Sequence, residues 1–302
     1  MEKIKIRRIN HHYQFIKTQQ DLTKPVLVFI HGWLLSHHYW LPLIEQIKHE
    51  YSCLTYDLKG FGLSQWDENT FVNNSEFDLS GYAQDLKILL QELAIEKAWL
   101  VGHSLGGSVA LWTADICREK VTGVFCVNAG GGIYLQEEFE RFRKAGENLV
   151  KFRPSWFVNV PFFDFIFSRM MVKRPLGRQW GKQRLKDFLS ANEQAAIASL
   201  LESTTEEQVH YLPQIVSRLS QPVYFIAGKQ DKVMEVQYVK HLASFHQLFQ
   251  QNQKNVYEID NCGHFAMLEH TQQVKDYILE IMIEHSSQNE ILAEFTPSKG
   301  QS

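Results

Sequence analysis

Four cysteines among 302 residues are too few for a disulfide framework. Cys53, Cys117, Cys126 and Cys262 form no CxxC pair, and three of them stand in apolar segments. The sequence therefore predicts buried, reduced thiols and a cytoplasmic location. No stretch approaches the roughly 18 apolar residues of a spanning helix. The charged residues 1–8 have no apolar run behind them, which argues against a secretory signal. A net charge of -3 excludes a general attraction to nucleic acid. No His-Glu-x-x-His is present, and the pairs His11-His12 and His37-His38 lack ligand spacing on a helix or a strand, so no metal is expected.

What the chain does contain is Gly102-His103-Ser104-Leu105-Gly106. This pentapeptide lies between an apolar run, Ala98-Trp99-Leu100-Val101, and a helix-like stretch opening at Gly107. A strand that turns abruptly into a helix leaves no room for side chains beside the nucleophile, hence the glycines, and it points the Ser104 hydroxyl outward. A nucleophilic serine needs a histidine base and an acid that orients it. Pro222-Val223-Tyr224-Phe225-Ile226-Ala227 reads as a buried parallel strand, and Gly228-Lys229-Gln230-Asp231 places Asp231 just past its C-terminal end, the edge where open α/β sheets collect functional groups. Asn255 to Asp260 is another strand candidate, and Asn261-Cys262-Gly263-His264 puts His264 at the same edge. Glu235, Glu258 and Asp260 compete with Asp231 for the role of acid. Upstream, Val26-Leu27-Val28-Phe29-Ile30 runs into His31-Gly32-Trp33. The backbone N–H groups of Trp33 and Leu105 are the candidate oxyanion donors. His103 is adjacent to the nucleophile, but on such a turn its side chain is expected to point away.

Together with Asp57-Leu58-Lys59-Gly60-Phe61-Gly62-Leu63-Ser64 and with Glu269 behind His264, these motifs resemble the α/β-hydrolase superfamily over residues 10–285. The likeness is to its cap-bearing, esterase- and lipase-like branch. The resemblance implies an α/β fold: a mostly parallel eight-stranded sheet with helices on both faces and an inserted helical cap. Lys59 departs from the arginine usual at its position, which keeps the charge and loses the bidentate fork. Asp57, Gly60, Gly62, Ser64 and Glu269 are read as shaping loops. The reaction implied is hydrolysis of a carboxylic ester, with thioesters and lipophilic esters in the same class, through an acyl-enzyme on Ser104, with no cofactor. A cofactor-free C–C bond hydrolase, a lyase of the menaquinone-synthesis type, and a ligand-sensing receptor that retains the triad stand as alternatives.

Residues 4–9 and 13–17 alternate like two antiparallel edge strands. Residues 26–30, 51–58, 98–102 and 121–129 then read as strands, with helices near 39–48, 81–93 and 105–117. No further strand starts before Pro222, so about 80 residues form an insertion. The expected organisation is a core over 1–130 and 216–285, a helical cap over 131–215, a last helix near 271–285, and a mobile tail over 286–302. From Arg141 to Lys186 there are 12 basic and 2 acidic residues, giving +10 there and -13 elsewhere, with nine aromatics interleaved. Amphipathic helices packed on the core would look this way. So would a surface that meets something apolar and anionic at once, either a peripheral contact with an anionic membrane or a phosphate-bearing acyl substrate.

Overall fold

The computed structural model describes residues 1–21, 23–66, 72–130 and 136–294. The chain opens with β1 (Glu2–Ile6), β2 (Ile9–Ile16), β3 (Val26–Ile30), α1 (Leu41–Ile47) and β4 (Cys53–Tyr56). It continues through α2 (Leu79–Glu92), β5 (Ala98–His103), α3 (Leu105–Ile116) and β6 (Val121–Val127). The eight strands form one sheet in the order β1-β2-β4-β3-β5-β6, followed by β7 (Val223–Gly228) and β8 (Val256–Ile259). The pairs β1/β2 and β2/β4 are antiparallel and the others parallel. The edge hairpin turns earlier than its alternation predicts: Ile6 pairs directly with Ile9 across a turn where Arg7 takes φ 53°, so β2 begins at Ile9. Both isoleucines are buried, which fixes that register.

The parallel strands are apolar throughout because each is covered on both faces. In β3, Leu27 and Phe29 pack with Trp40, Leu43 and Ile47 on one side, while Val28 and Ile30 pack with Leu86, Leu89, Val109 and Leu111 on the other. Helix α3 runs behind the sheet edge and is buried along most of its length.

Between β6 and β7 the described residues hold helices only: α4 (Gln136–Lys151), α5 (Phe163–Phe167), α6 (Arg178–Ser190), α7 (Glu193–Ser203) and α8 (Glu206–Arg218). The first residues of the expected insertion, 131–135, lie outside the described ones. After β7 come α9 (Val236–Ala243), α10 (Gln247–Gln250), β8, α11 (Ala266–Glu269) and α12 (Thr271–Glu294). Helix α12 runs nine residues past the end expected at 285, so the start of the proposed tail is helical. Its polar composition signalled irregular chain, but Gln, Asn and Glu residues there are compatible with continued helix. Residues 295–302 fall outside the described set. No helix among the described residues is long and apolar enough to cross a membrane.

Candidate active site

Ser104 stands between β5 and α3 with φ 51° and ψ -121°, a conformation that side chains other than glycine adopt rarely and only when the surroundings enforce it. The enforcement is visible. A Cβ at Gly102 would lie 2.2 Å from the carbonyl oxygen of Gly106, and one at Gly106 would lie 2.4 Å from that of Ile30. Helix and strands approach too closely there for any side chain. Ser104 is partly exposed although its neighbours on both sides are buried. Leu105 opens α3, so its N–H is one of the first-turn amides that have no acceptor within the helix.

Asp231 and His264 meet at the sheet edge, as their positions after β7 and β8 predict. His264 Nδ1 lies 2.8 Å from Asp231 Oδ2. Burial alone raises the Asp231 pKa, but the His264 charge and bond, with the N–H groups of Met234 and Val233, pull it below the ordinary carboxylate value. Those two amides donate to Oδ1 at 3.0 and 2.8 Å. An ionised carboxylate can only accept, so Nδ1 carries a proton, and in the neutral ring this tautomer leaves the lone pair on Nε2. Of the other candidate acids, Glu258 is paired with Lys240, Asp260 with Lys229, and Glu235 bonds Gln237.

Three groups position the pair: Asn128, which the sequence reading missed, His103, which it expected to point away, and Glu269, which it read as shaping the loop. Asn128, at φ 47° just past β6, donates to Asp231 Oδ2 at 2.9 Å and to the Gly263 carbonyl at 3.0 Å, and its Oδ1 accepts from Ala266 N–H at 3.1 Å. One amide thus joins the acid to the loop that carries the base. The His103 side chain does not point away from the site: its Nε2 donates to the His264 carbonyl at 2.8 Å, and the two rings are 4.8 Å apart. Burial, then the nearby His264, holds its pKa well below the usual imidazole value, so it is a neutral prop. The Glu269 carboxylate gathers Gly263, Phe265, Lys173 and Arg174 N–H groups at 2.7 to 3.1 Å, fastening the His264 loop to the insertion. The only trace of Asn128 in the sequence is its place at the end of an apolar strand.

The loop residues behave as shapers. Asp57 accepts from His37 N–H, His37 Nδ1 and Leu63 N–H at 2.7 to 2.9 Å. Ser64 accepts from His12 N–H. Lys59 is buried with its Nζ 2.9 Å from Asp85, a single-point pair where a fork is absent. His31, pushed down to about 4 by burial, accepts from Leu58 N–H through Nε2 and fixes the turn before Trp33.

Ser104, His103, His264, Trp33 and Leu105 line one cavity of about 250 Å³ under the insertion. Its other walls are mostly apolar and include Leu34, Leu149, Phe167, Phe188, Leu200 and Leu242. Arg184 is the single lysine or arginine among the described lining residues. Its guanidinium lies over the Phe265 ring at 4.4 Å and bonds the Phe167 and Met170 carbonyls. Burial lowers its pKa to about 10, which leaves it charged near neutrality.

An eight-stranded, mostly parallel sheet with a serine on a strained strand–helix turn and an Asp–His pair at the same edge defines an α/β hydrolase. The model of the alpha/beta hydrolase fold matches residues 25–271, and the chain belongs to that family. It is 29% identical over 268 residues to a 2-succinyl-6-hydroxy-2,4-cyclohexadiene-1-carboxylate synthase from Salmonella typhimurium, covering 85% of this chain and 94% of that one. Two solved structures share the fold. One is a thermophilic esterase from Thermogutta terrifontis, with TM-score 0.72 and 21% identity over 94% of this chain and 99% of that one. The other is MenH from S. aureus, with TM-score 0.71 and 22% identity over 91% and 99%.

Proposed function

We propose that the protein hydrolyses a carboxylic ester with an apolar acyl group through an acyl-enzyme on Ser104. The observation that carries this reading is a strained Ser104 and an Asp231-bound His264 facing one largely apolar cavity. In the proposed cycle His264 Nε2 takes the Ser104 proton as Oγ attacks the ester carbonyl, and Asp231 holds the ring and stabilises the imidazolium. The Leu105 and Trp33 N–H groups stabilise the tetrahedral oxyanion. His264 returns the proton to the departing alcohol, then activates the water that releases the acid. No cofactor enters these steps.

The likeness to the Salmonella synthase favours a second reading, in which the same triad serves a lyase. The compound in that protein's name bears two carboxylates. A cavity whose described lining offers one permanent cation, Arg184, suits an apolar acyl chain better than such a dianion. A receptor that retains the triad would bind and turn over slowly or not at all.

A panel of p-nitrophenyl esters from acetate to decanoate, with an acyl thioester alongside, tests the proposal. Multiple turnovers that quicken with acyl length are expected. Inertness toward every ester, or a single turnover without release, would overturn it in favour of the lyase or the receptor.

A further inference from the structure

Twelve large apolar side chains are exposed among the described residues, and eight of them fall within residues 149–171: Leu149, Phe152, Trp156, Phe162, Phe165, Ile166, Met170 and Met171. Such concentration is not the scatter that ordinary surfaces show. Phe152 is 72% exposed, Phe162 69% and Trp156 58%, so these rings are not the buried side of helices packed on the core. Phe152 and Trp156 are joined through Phe157, which touches them and Phe163 at centroid separations of 6.2, 4.9 and 5.0 Å. The patch also meets the cavity, because Leu149, Met170 and Met171 are both exposed and part of its lining. The exposed apolar patch is thus continuous with one wall of the apolar pocket.

The charge around this patch is predominantly positive, its two acids being paired, Glu147 with Lys151 and Asp164 with Arg178. Lys151 and Arg169 are exposed within the same segment, Arg169 lying 3.4 Å over the Phe165 ring, and Lys173 and Lys182 are exposed just beyond it. The stretch from 141 to 186 carries +10 against -13 for the remainder. Aromatic rings flanked by exposed cations match the boundary of an anionic lipid layer, where rings enter the headgroup region and Lys or Arg meet phosphates.

We propose that the face formed by residues 149–171 docks on anionic lipid surfaces and brings the cavity mouth against the lipid. Delivery of acyl substrates from that surface rests on the esterase reading; the docking does not. Attachment is peripheral, set by ring insertion plus salt-sensitive attraction.

The test is sedimentation of the full chain with vesicles of phosphatidylcholine alone and of phosphatidylcholine mixed with phosphatidylglycerol, at low and high salt. Binding to the anionic vesicles that weakens at high salt is expected. Phe152→Ser, Trp156→Ser and Phe162→Ser together should abolish it, and Lys151→Glu with Arg169→Glu should weaken it by roughly tenfold or more. Hydrolysis of a soluble short-chain ester should be unchanged in both variants, since none of these residues lines the cavity. Recovery in the supernatant under every condition, or binding indifferent to the aromatic substitutions, would overturn the proposal. So would a dimer in solution that the aromatic substitutions dissolve, which would make the face an interface between copies. Ser104→Ala is expected to bind vesicles like the wild type. If that holds while all esters prove inert, the esterase reading fails and the docking stands.

Discussion

On the core side of the cavity, Asp231, Asn128 and His264 are only 4, 0 and 3% exposed and tied together by hydrogen bonds with named partners. On the insertion side, the residues between 149 and 171 present rings and methionines outward. One region is fixed by directional bonds that leave each group few alternatives. The other is held through packing and through anchors that include His264 N–H to the Met171 carbonyl, Trp33 Nε1 to the Ala196 carbonyl, Ser36 to Asp187, and the Glu269 clamp. This contrast suits a division of labour in which the core supplies reactivity and the insertion chooses what reaches it.

Substitutions can break that division, and the largest effect belongs to the core. Ser104→Ala should lower kcat for any ester by an amount on the order of 10⁶-fold with an unchanged melting temperature. Adding His264→Ala should cost little more, because the triad acts as a unit. Steady-state kinetics checks both; retained activity in the single variant would dissolve the contrast. Asp231→Asn should cost about 10⁴-fold in kcat by leaving the imidazole in the wrong tautomer, with normal secondary structure by circular dichroism.

Asn128→Ala should cost about 10²-fold in kcat with little change in KM, since it loosens the acid and the His264 loop without touching substrate. A change in KM alone would place Asn128 on the substrate side. The cavity predicts a gentler gradient. Each methylene added to the acyl chain should raise kcat/KM by up to about fourfold until the pocket is full, the value of about 0.8 kcal/mol per buried CH₂. A panel of esters with a flat profile would show that the insertion does not select apolar chains.

The smallest effect concerns Asp187 on α6, raised by burial from 3.8 to about 6 despite bonds from Gln183 and Ser36. A carboxyl whose folded pKa is raised stabilises the fold below its unfolded value, and that contribution is lost as pH rises through about 6. Asp187→Asn should therefore raise the melting temperature by a few degrees at pH 8 and leave it unchanged near pH 4. A lower melting temperature at pH 8 would mean that the charged form anchors the insertion.

The sheet, the insertion and the positions of Ser104, Asp231 and His264 were legible because each follows an apolar strand, and strand ends fix where a residue lies. The props were not. Asn128 acts through partners at 231, 263 and 266, a long-range geometry that no local pattern encodes. His103 was misread because the turn turns its ring toward the His264 loop, whose main chain supplies the acceptor. Helix α12 outran its expected end because its apolar face gives way to polar residues with helical propensity and no stop signal before Glu294. In the insertion, the excess of basic residues and aromatics was plain, but which rings are exposed depends on how the helices pack.

Covalent labelling tests the central claim most directly. Incubation with a fluorophosphonate followed by peptide mapping should place one adduct on Ser104, absent in Ser104→Ala and strongly slowed in Asp231→Asn. An adduct on another serine, or none while esters are still turned over, would contradict the assignment of Ser104 as the nucleophile.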